Sequence, residues 1–295
     1  MKSGMVSIIG RPNVGKSTLL NGLLNKKVAI ISDKSGTTRN LILGVYNDLD
    51  SQIVFVDTPG IRKPSYKLDN LLNNKSLQMT DPVDLILLMV DISTGFGKGD
   101  RFILDSIKDH SNVILLLNKI DKLSKDELMK QIDEISKIHE FKEIIPLSAF
   151  KKINFNELIK TIKKYLPEGD KYYQDDYLTN QTIGMIVTER VREKVLWFTN
   201  KEVPYTVTCY LEKIEDSKEI LKASVNIIVD RDNLKKIIIG KKGSMLKQIG
   251  MKARIDLEEY FHKKVYLDLH VKTIKDWRNN DSLLKDLGLK EDLDE

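Results

Sequence analysis

Cysteine is nearly absent: the 295 residues contain one, Cys209. No disulfide can close within the chain, which excludes a disulfide-stapled scaffold and fits a reducing compartment. Cys209 lies in an alternating segment and is expected to be a small core residue. Long apolar runs are also missing. The run at residues 5–9 ends at Gly10, too short for a signal-peptide core or a membrane span. Nothing elsewhere approaches the roughly 18 consecutive apolar residues of a spanning helix. Peripheral membrane contact stays open. The four histidines, His110, His139, His262 and His270, have no metal-ligand spacing and read as surface or packing residues. Trp197 and Trp277 read as packing anchors rather than stacking platforms. Repeats and low-complexity tracts are absent.

Charge is more telling in its distribution than in its total. The whole chain carries +5. Residues 231–272 alone hold 11 Lys/Arg against 5 Asp/Glu, whereas residues after Thr273 hold 4 against 7. A basic segment of this kind suits a polyanion, or is only a solvated surface.

The first half alternates apolar runs with amphipathic stretches. Residues 6–9, 53–57, 83–91, 113–118 and 144–147 predict buried strands. Residues 17–24, 101–109, 125–139 and 154–165 predict helices. Such alternation predicts an α/β domain with a mostly parallel sheet. The segment 166–176 has Pro, Gly and clustered acids and reads as a linker. Beyond it the pattern predicts a helix over 182–199, strands over 204–211 and 223–229, and a short helix into Gly240. A helix over 244–261 and a strand over 265–271 complete it. The expected division is 1–168, a linker at 169–180, and 181–295.

Two glycine loops carry the chemistry. The first is Gly10-Arg11-Pro12-Asn13-Val14-Gly15-Lys16-Ser17, between a predicted strand and a predicted helix. That context identifies a P-loop, whose backbone N–H groups converge on phosphate at a helix N-terminus. Lys16 would reach the β- and γ-phosphates, and Ser17 would offer its hydroxyl to Mg²⁺. Asp57-Thr58-Pro59-Gly60 ends another strand. Asp57 would hold Mg²⁺ through water in the usual Walker B manner, and the Gly60 N–H would face the γ-phosphate. Asn118-Lys119-Ile120-Asp121 separates GTP from ATP. The Asp121 carboxylate can accept from both guanine N1–H and the N2 amino group, a donor pair adenine lacks. Asn118 would tie this loop to the P-loop, and the Lys119 stem would cover the base. Ser148-Ala149 would put a backbone N–H on guanine O6.

With three motifs in order at strand ends, the first half resembles a translation-factor-related, Ras-like GTPase domain. The resemblance places Ser35-Gly36-Thr37-Thr38-Arg39 at the first switch. It implies that Thr38, in preference to Thr37, supplies a ligand to Mg²⁺ and the γ-phosphate. Many such enzymes place a glutamine after Asp-x-x-Gly to orient water. Here Ile61 stands there and cannot hydrogen-bond, so either turnover is slow or another charge source acts. Similar families carry an asparagine where Asn13 stands and several bind K⁺, which implies K⁺ partly held by Asn13. The implied catalytic set is Asn13, Lys16, Thr38, Asp57 and Gly60, with Ser17, Thr38 and Asp57 on the metal.

The second loop, Gly240-Lys241-Lys242-Gly243, follows Ile237-Ile238-Ile239 and precedes a predicted helix. A KH domain uses such a turn to approach a nucleic-acid backbone beside an apolar groove. Lys241 and Lys242 would meet phosphates. Ile239, Met245 and Ile249 would line the groove or fill the core. The order of elements matches an α+β type II KH domain.

Across its whole length the chain resembles the Era family of bacterial GTPases. The resemblance rests on Arg190-Val-Arg-Glu-Lys194, Glu202-Val-Pro-Tyr205, the run from Ile239 through Lys247 to Gly250, and Trp277 with Leu287-Gly288-Leu289. It implies a cytoplasmic, monomeric GTPase with GTP or GDP and Mg²⁺. It also implies binding to 16S rRNA near the 3′ end, assembly of the small ribosomal subunit, and contact with the inner face of the cell membrane. An RNA-binding assembly factor with GTP as a structural ligand is the rival, and a P-loop kinase or ATPase a more distant one.

Overall fold

The computed structural model describes residues 1–290. Residues 291–295, counted above in the acidic tail and the second domain, lie outside the described residues. The chain divides into two compact units. The first comprises residues 1–31, 36–65 and 69–180; the second comprises 32–35, 66–68 and the described residues from Gln181.

In the first unit the chain runs β1 (Lys2–Ile9), α1 (Lys16–Leu24), β2 (Ile42–Asn47), β3 (Ser51–Asp57), α2 (Lys67–Gln78) and β4 (Leu85–Asp91). It continues with α3 (Lys98–Ser106), β5 (Val113–Asn118), α4 (Lys125–Ser136), β6 (Glu143–Leu147) and α5 (Phe155–Tyr165). The sheet has six strands in the order β2-β3-β1-β4-β5-β6, parallel except for β2 against β3. Successive strand residues face opposite sides, so each strand feeds two cores. Ile8 and Leu87 join one apolar cluster with Leu19 and Leu158. Ile9 and Leu88 join another with Ile103 and Ile135. The carboxyl ends of β1, β3, β4 and β5 are Ile9, Asp57, Asp91 and Asn118, at the edge where such sheets bind ligands.

The sequence did not disclose β2 or α2. A glycine interrupts β2, and its burial does not alternate cleanly. The segment 169–180 is not a free linker but counts with the first unit. Edge strands need partners for their outward N–H groups, and this segment supplies them. Val45 N–H donates to Leu178 O at 3.0 Å, and Leu43 N–H donates to Asn180 Oδ1 at 3.0 Å. Gln52 Nε2 donates to Tyr173 O at 2.9 Å, and Tyr173 N–H returns to Gln52 Oε1 at 3.0 Å. Tyr173 and Tyr177 stack with centroids 4.4 Å apart.

The second unit is built from α6 (Ile183–Phe198), α7 (Val203–Thr206), β7 (Thr208–Asp216), β8 (Ile220–Val229), α8 (Asp232–Ile239), α9 (Ser244–Phe261), β9 (Lys264–Thr273) and α10 (Asp281–Asp286). Its sheet runs β7-β8-β9, with β7 antiparallel and β9 parallel to β8. Thr182 starts α6 by accepting the Met185 N–H at 3.2 Å, a standard N-cap. Val187, Val191 and Val195, spaced for one helical face, are all fully buried. The strand expected from Pro204 begins only at Thr208, because Pro204 sits in the first turn of α7, where its missing N–H costs nothing. Trp277 is a packing anchor: it is fully buried and its Nε1–H donates to Thr206 O at 2.7 Å. Trp197 is not: it is half-exposed on α6, with Lys194 Nζ 3.6 Å above its ring. Cys209 is buried and free of any disulfide. Among the described residues, no helix is long and apolar enough to cross a membrane.

Candidate functional site

The P-loop leaves β1 and enters α1 through Gly15, at φ 111°. A Cβ on Gly15 would lie 2.3 Å from Asn118 Nδ2, so only glycine fits. Gly15 offers no side chain to cap α1, and the first turn has no acid. Those N–H groups are therefore suited to phosphate oxygens. Lys16 Nζ donates to Gly10 O at 3.1 Å and Arg11 O at 2.9 Å. Burial lowers its pKa to about 8, against the attraction of Asp57. A phosphate would supply the countercharge that burial denies it.

The three residues expected on Mg²⁺ come together from three elements. Ser17 Oγ donates to Asp57 Oδ2 at 2.6 Å and lies 2.8 Å from Thr38 Oγ1. Asp57 is fully buried, and burial raises its pKa to about 6, although Lys16 and the two hydroxyls oppose this. Its Oδ1 is buried with no hydrogen-bond partner. Two hydroxyls, a carboxylate and an orphaned carboxylate oxygen fit a hard, oxygen-seeking cation. Among the described residues, no group of three or more His, Cys, Asp or Glu offers another metal site. Thr37, next to Thr38 in the chain, is also buried.

The base loop is braced against the P-loop. Asn118 Nδ2 donates to Val14 O at 2.6 Å, and Lys119 Nζ donates to Asn13 O at 2.8 Å. Ser148 Oγ donates to Asp121 Oδ1 at 2.5 Å, which orients the carboxylate. The Ala149 N–H donates to Asn118 Oδ1 at 2.9 Å, which ties the Ser148-Ala149 turn to the base loop. Asp91, which no local motif singles out, holds Lys119 Nζ at 2.5 Å. Burial works against ionising Asp91, but hydrogen bonds from Lys119 and Ser93 outweigh it and lower its pKa. Ile120 packs against the apolar cluster of α3 and α4.

Two side chains beside the P-loop are committed elsewhere in the first unit. The Arg11 side chain turns to Asp100, with Nε to Oδ1 at 2.8 Å, so its guanidinium is committed within the protein. Ile61 is buried in the apolar cluster, and its N–H donates to Gly10 O at 3.2 Å. An apolar side chain packed there offers no hydrogen bond to a water molecule. Thr58 Oγ1 donates to Ile8 O at 2.8 Å, which fixes the start of that loop. Gly60 backs directly on Pro12, where a Cβ would lie 2.6 Å from the Pro12 backbone. Pro59 O accepts from Ser76 Oγ at 2.8 Å.

In the second unit, Gly240 has φ 73°, and a Cβ there would come within 2.7 Å of the Met245 side chain. Lys242 and Gly243 follow with φ 52° and 78°, and Lys241 and Lys242 are exposed. Beside the turn lies a groove of about 470 Å³ lined by Gly243, Leu246, Lys247, Gly250, Met251, Arg254, Leu267 and Leu269. Lys247 is among the residues that line it. Ile249 is not in the groove but fully buried in the core, and Ile239 and Met245 are half-buried and do not line it. One helical position separates Met245 from Leu246, and it decides which face of α9 each occupies. The contribution of β9 through Leu267 and Leu269 was invisible in the local pattern around the loop.

Residues 5–119 match the family described as 50S ribosome-binding GTPase, and residues 202–278 match the KH domain family. GTPase Era of Staphylococcus haemolyticus is 43% identical over 295 residues, covering 99% of each chain. A solved variant of Aquifex aeolicus Era bound to GDP and AlF4⁻ aligns with TM-score 0.95 and 43% identity, over 99% of this chain and 100% of that one. Era solved with MgGDPNP and nucleotides 1506–1542 of 16S ribosomal RNA aligns with the same score, identity and coverage. Since the likeness runs unbroken through both the nucleotide loops and the lysine-bearing turn, the chain belongs to the Era family of GTPases.

Proposed function

We propose that this chain binds small-subunit ribosomal RNA near its 3′ end and assists small-subunit assembly, with GTP hydrolysis setting the timing. The observation that carries this reading is the end-to-end likeness to Era solved with a GTP analogue and 16S rRNA nucleotides. The orphaned Asp57 oxygen supports Mg²⁺, with Ser17 and Thr38 as the other protein ligands. Mg²⁺ would neutralise charge on the phosphates there. Lys16 binds the phosphates, Asp121 selects guanine, and Asn118 and Lys119 keep the base loop in register with the P-loop. Gly60 offers its N–H near the γ-phosphate. The reading extends to a cytoplasmic monomer with peripheral contact at the inner membrane face, which rests on the family alone.

Crosslinking the full chain to total RNA, with GTP analogue or GDP bound, tests the proposal. Crosslinks are expected at the 3′ end of small-subunit rRNA and should depend on the nucleotide. Crosslinks scattered over unrelated RNA would overturn it. Nucleotide-independent crosslinks at the same site would favour GTP as a structural ligand.

Ile61 cannot hydrogen-bond to water, so another group must stabilise developing charge, and Asn13 is exposed at φ 64° within the P-loop. We assign this role to K⁺ held partly by Asn13. GTP turnover should be at least severalfold faster in KCl than in NaCl at equal ionic strength. Equal rates in the two salts would remove K⁺ from the scheme.

Replacing Lys241 and Lys242 together with alanine should weaken RNA binding. Each phosphate contact to a single strand contributes about −0.7 to the slope of log K against log salt, so the slope should flatten by about 1.4. An unchanged slope would mean these lysines do not meet phosphate.

A further inference from the structure

We infer that Asp100 is a positioning residue for the P-loop, acting through Arg11 to hold the phosphate cradle in its binding form. This rests on the reading of the P-loop as a GTP site. The loop has no hydrogen-bonded ladder of its own, so its shape depends on outside anchors. Three come from segments that carry nucleotide motifs: Ile61 N–H on Gly10 O, Lys119 Nζ on Asn13 O and Asn118 Nδ2 on Val14 O. The fourth comes from α3, which carries none.

Asp100 is fully buried in the first turn of α3. A carboxylate there is favoured by the helix dipole. One of its oxygens accepts the Gly97 N–H at 2.9 Å, and the other accepts Arg11 Nε at 2.8 Å. The Arg11 stem crosses the helix start over Gly99, where a Cβ would lie 2.7 Å from Arg11 Cδ. Any larger residue at 99 would displace the arginine. Arg11 O also accepts Lys16 Nζ at 2.9 Å, so the residue held by Asp100 is bonded directly to the phosphate-binding lysine. Pro12, the next residue, is backed by Gly60. A loop pinned at Arg11 from outside presents its N–H groups without reorganising, which slows ligand escape.

The pair can be tested without dismantling α3. Asp100→Asn keeps an acceptor for the Gly97 N–H but removes the charge, and Arg11→Met keeps the stem over Gly99. Release of GDP carrying a fluorescent N-methylanthraniloyl group is measured by chase in excess Mg²⁺. Each single variant should release it about tenfold faster, and the double variant no faster than either single, because contacting residues are not additive. Arg11→Lys, which keeps a charge near Asp100, should recover part of the loss. Additive effects, or wild-type release from Arg11→Met, would overturn the inference. If Asp100→Asn fails to fold, Arg11→Met and Arg11→Lys carry the test. If the wild-type chain does not hold the labelled GDP, the nucleotide-site reading itself fails, and this inference with it.

Discussion

Replacing Lys16 with methionine is expected to abolish GTP and GDP binding at neutral pH while leaving the nucleotide-free fold intact. Charge-assisted hydrogen bonds to two phosphates are worth about 1.5–3 kcal/mol each, which sets a loss of about 10² to 10⁴ in affinity. The second half of the result follows from burial. Lys16 is buried and its pKa falls to about 8, so keeping it charged at pH 7 costs free energy in the nucleotide-free protein. The unfolded chain binds more protons here than the folded chain between about pH 8 and the ordinary lysine value of 10.5, so this cost is full below pH 8 and is relieved as pH rises. Methionine removes it, and nucleotide-free stability at pH 7 should rise by about 1–2 kcal/mol. Calorimetry of nucleotide binding and urea unfolding of both proteins give the two readouts. Retained tight GDP binding, or marked destabilisation, would contradict the role assigned to Lys16. The same lysine gives wild-type binding a pH limb. Phosphate keeps Lys16 protonated in the complex, so affinity should be flat below about pH 8 and decline above it, by at most about tenfold per unit.

The second large effect lies in the other unit. Lys194 is fully buried on α6, 2.9 Å from the equally buried Glu193, and is paired with Asp256 on α9. Removing one partner of a buried pair typically costs about 3–5 kcal/mol, because the other charge is left in a poor solvent. Lys194→Ala should therefore lower the unfolding midpoint of the second unit sharply, with nucleotide affinity of the first unchanged. Replacing all three groups together, as Glu193→Gln, Lys194→Met and Asp256→Asn, should recover most of the loss. A neutral Lys194→Ala in denaturant titration would mean that water reaches the cluster and the pair contributes little.

Motifs whose chemistry depends on contiguous residues were legible in the sequence. Gly10 to Ser17, Asp57 to Gly60 and Asn118 to Asp121 each sit at a strand end, and alternation of apolar runs placed those ends at one sheet edge. The position of Thr38 beside Ser17 and Asp57 came only with the family resemblance, since no local pattern links residues so far apart. Side-chain direction was not legible. Arg11 belongs to the loop by sequence but turns away to Asp100, whose position on α3 is set by tertiary packing. Ile249 and Leu246 are both apolar, yet only the latter lines the groove, because α9 has apolar residues on more than one face. The segment 169–180 looked unstructured because its order comes from another strand's unpaired backbone rather than from its own periodicity.

That last segment bears on how the first unit can be produced alone. Truncation at residue 168 would strip Leu178 O and Asn180 Oδ1 from β2 and leave the Val45 and Leu43 donors facing solvent at the sheet margin. An exposed margin of that kind invites edge-to-edge association between molecules. A stop after Asn180 keeps the margin sealed. For anyone expressing the nucleotide-binding half by itself, including those twelve residues is expected to keep it from associating edge to edge on concentration, as light scattering of the two truncations would show.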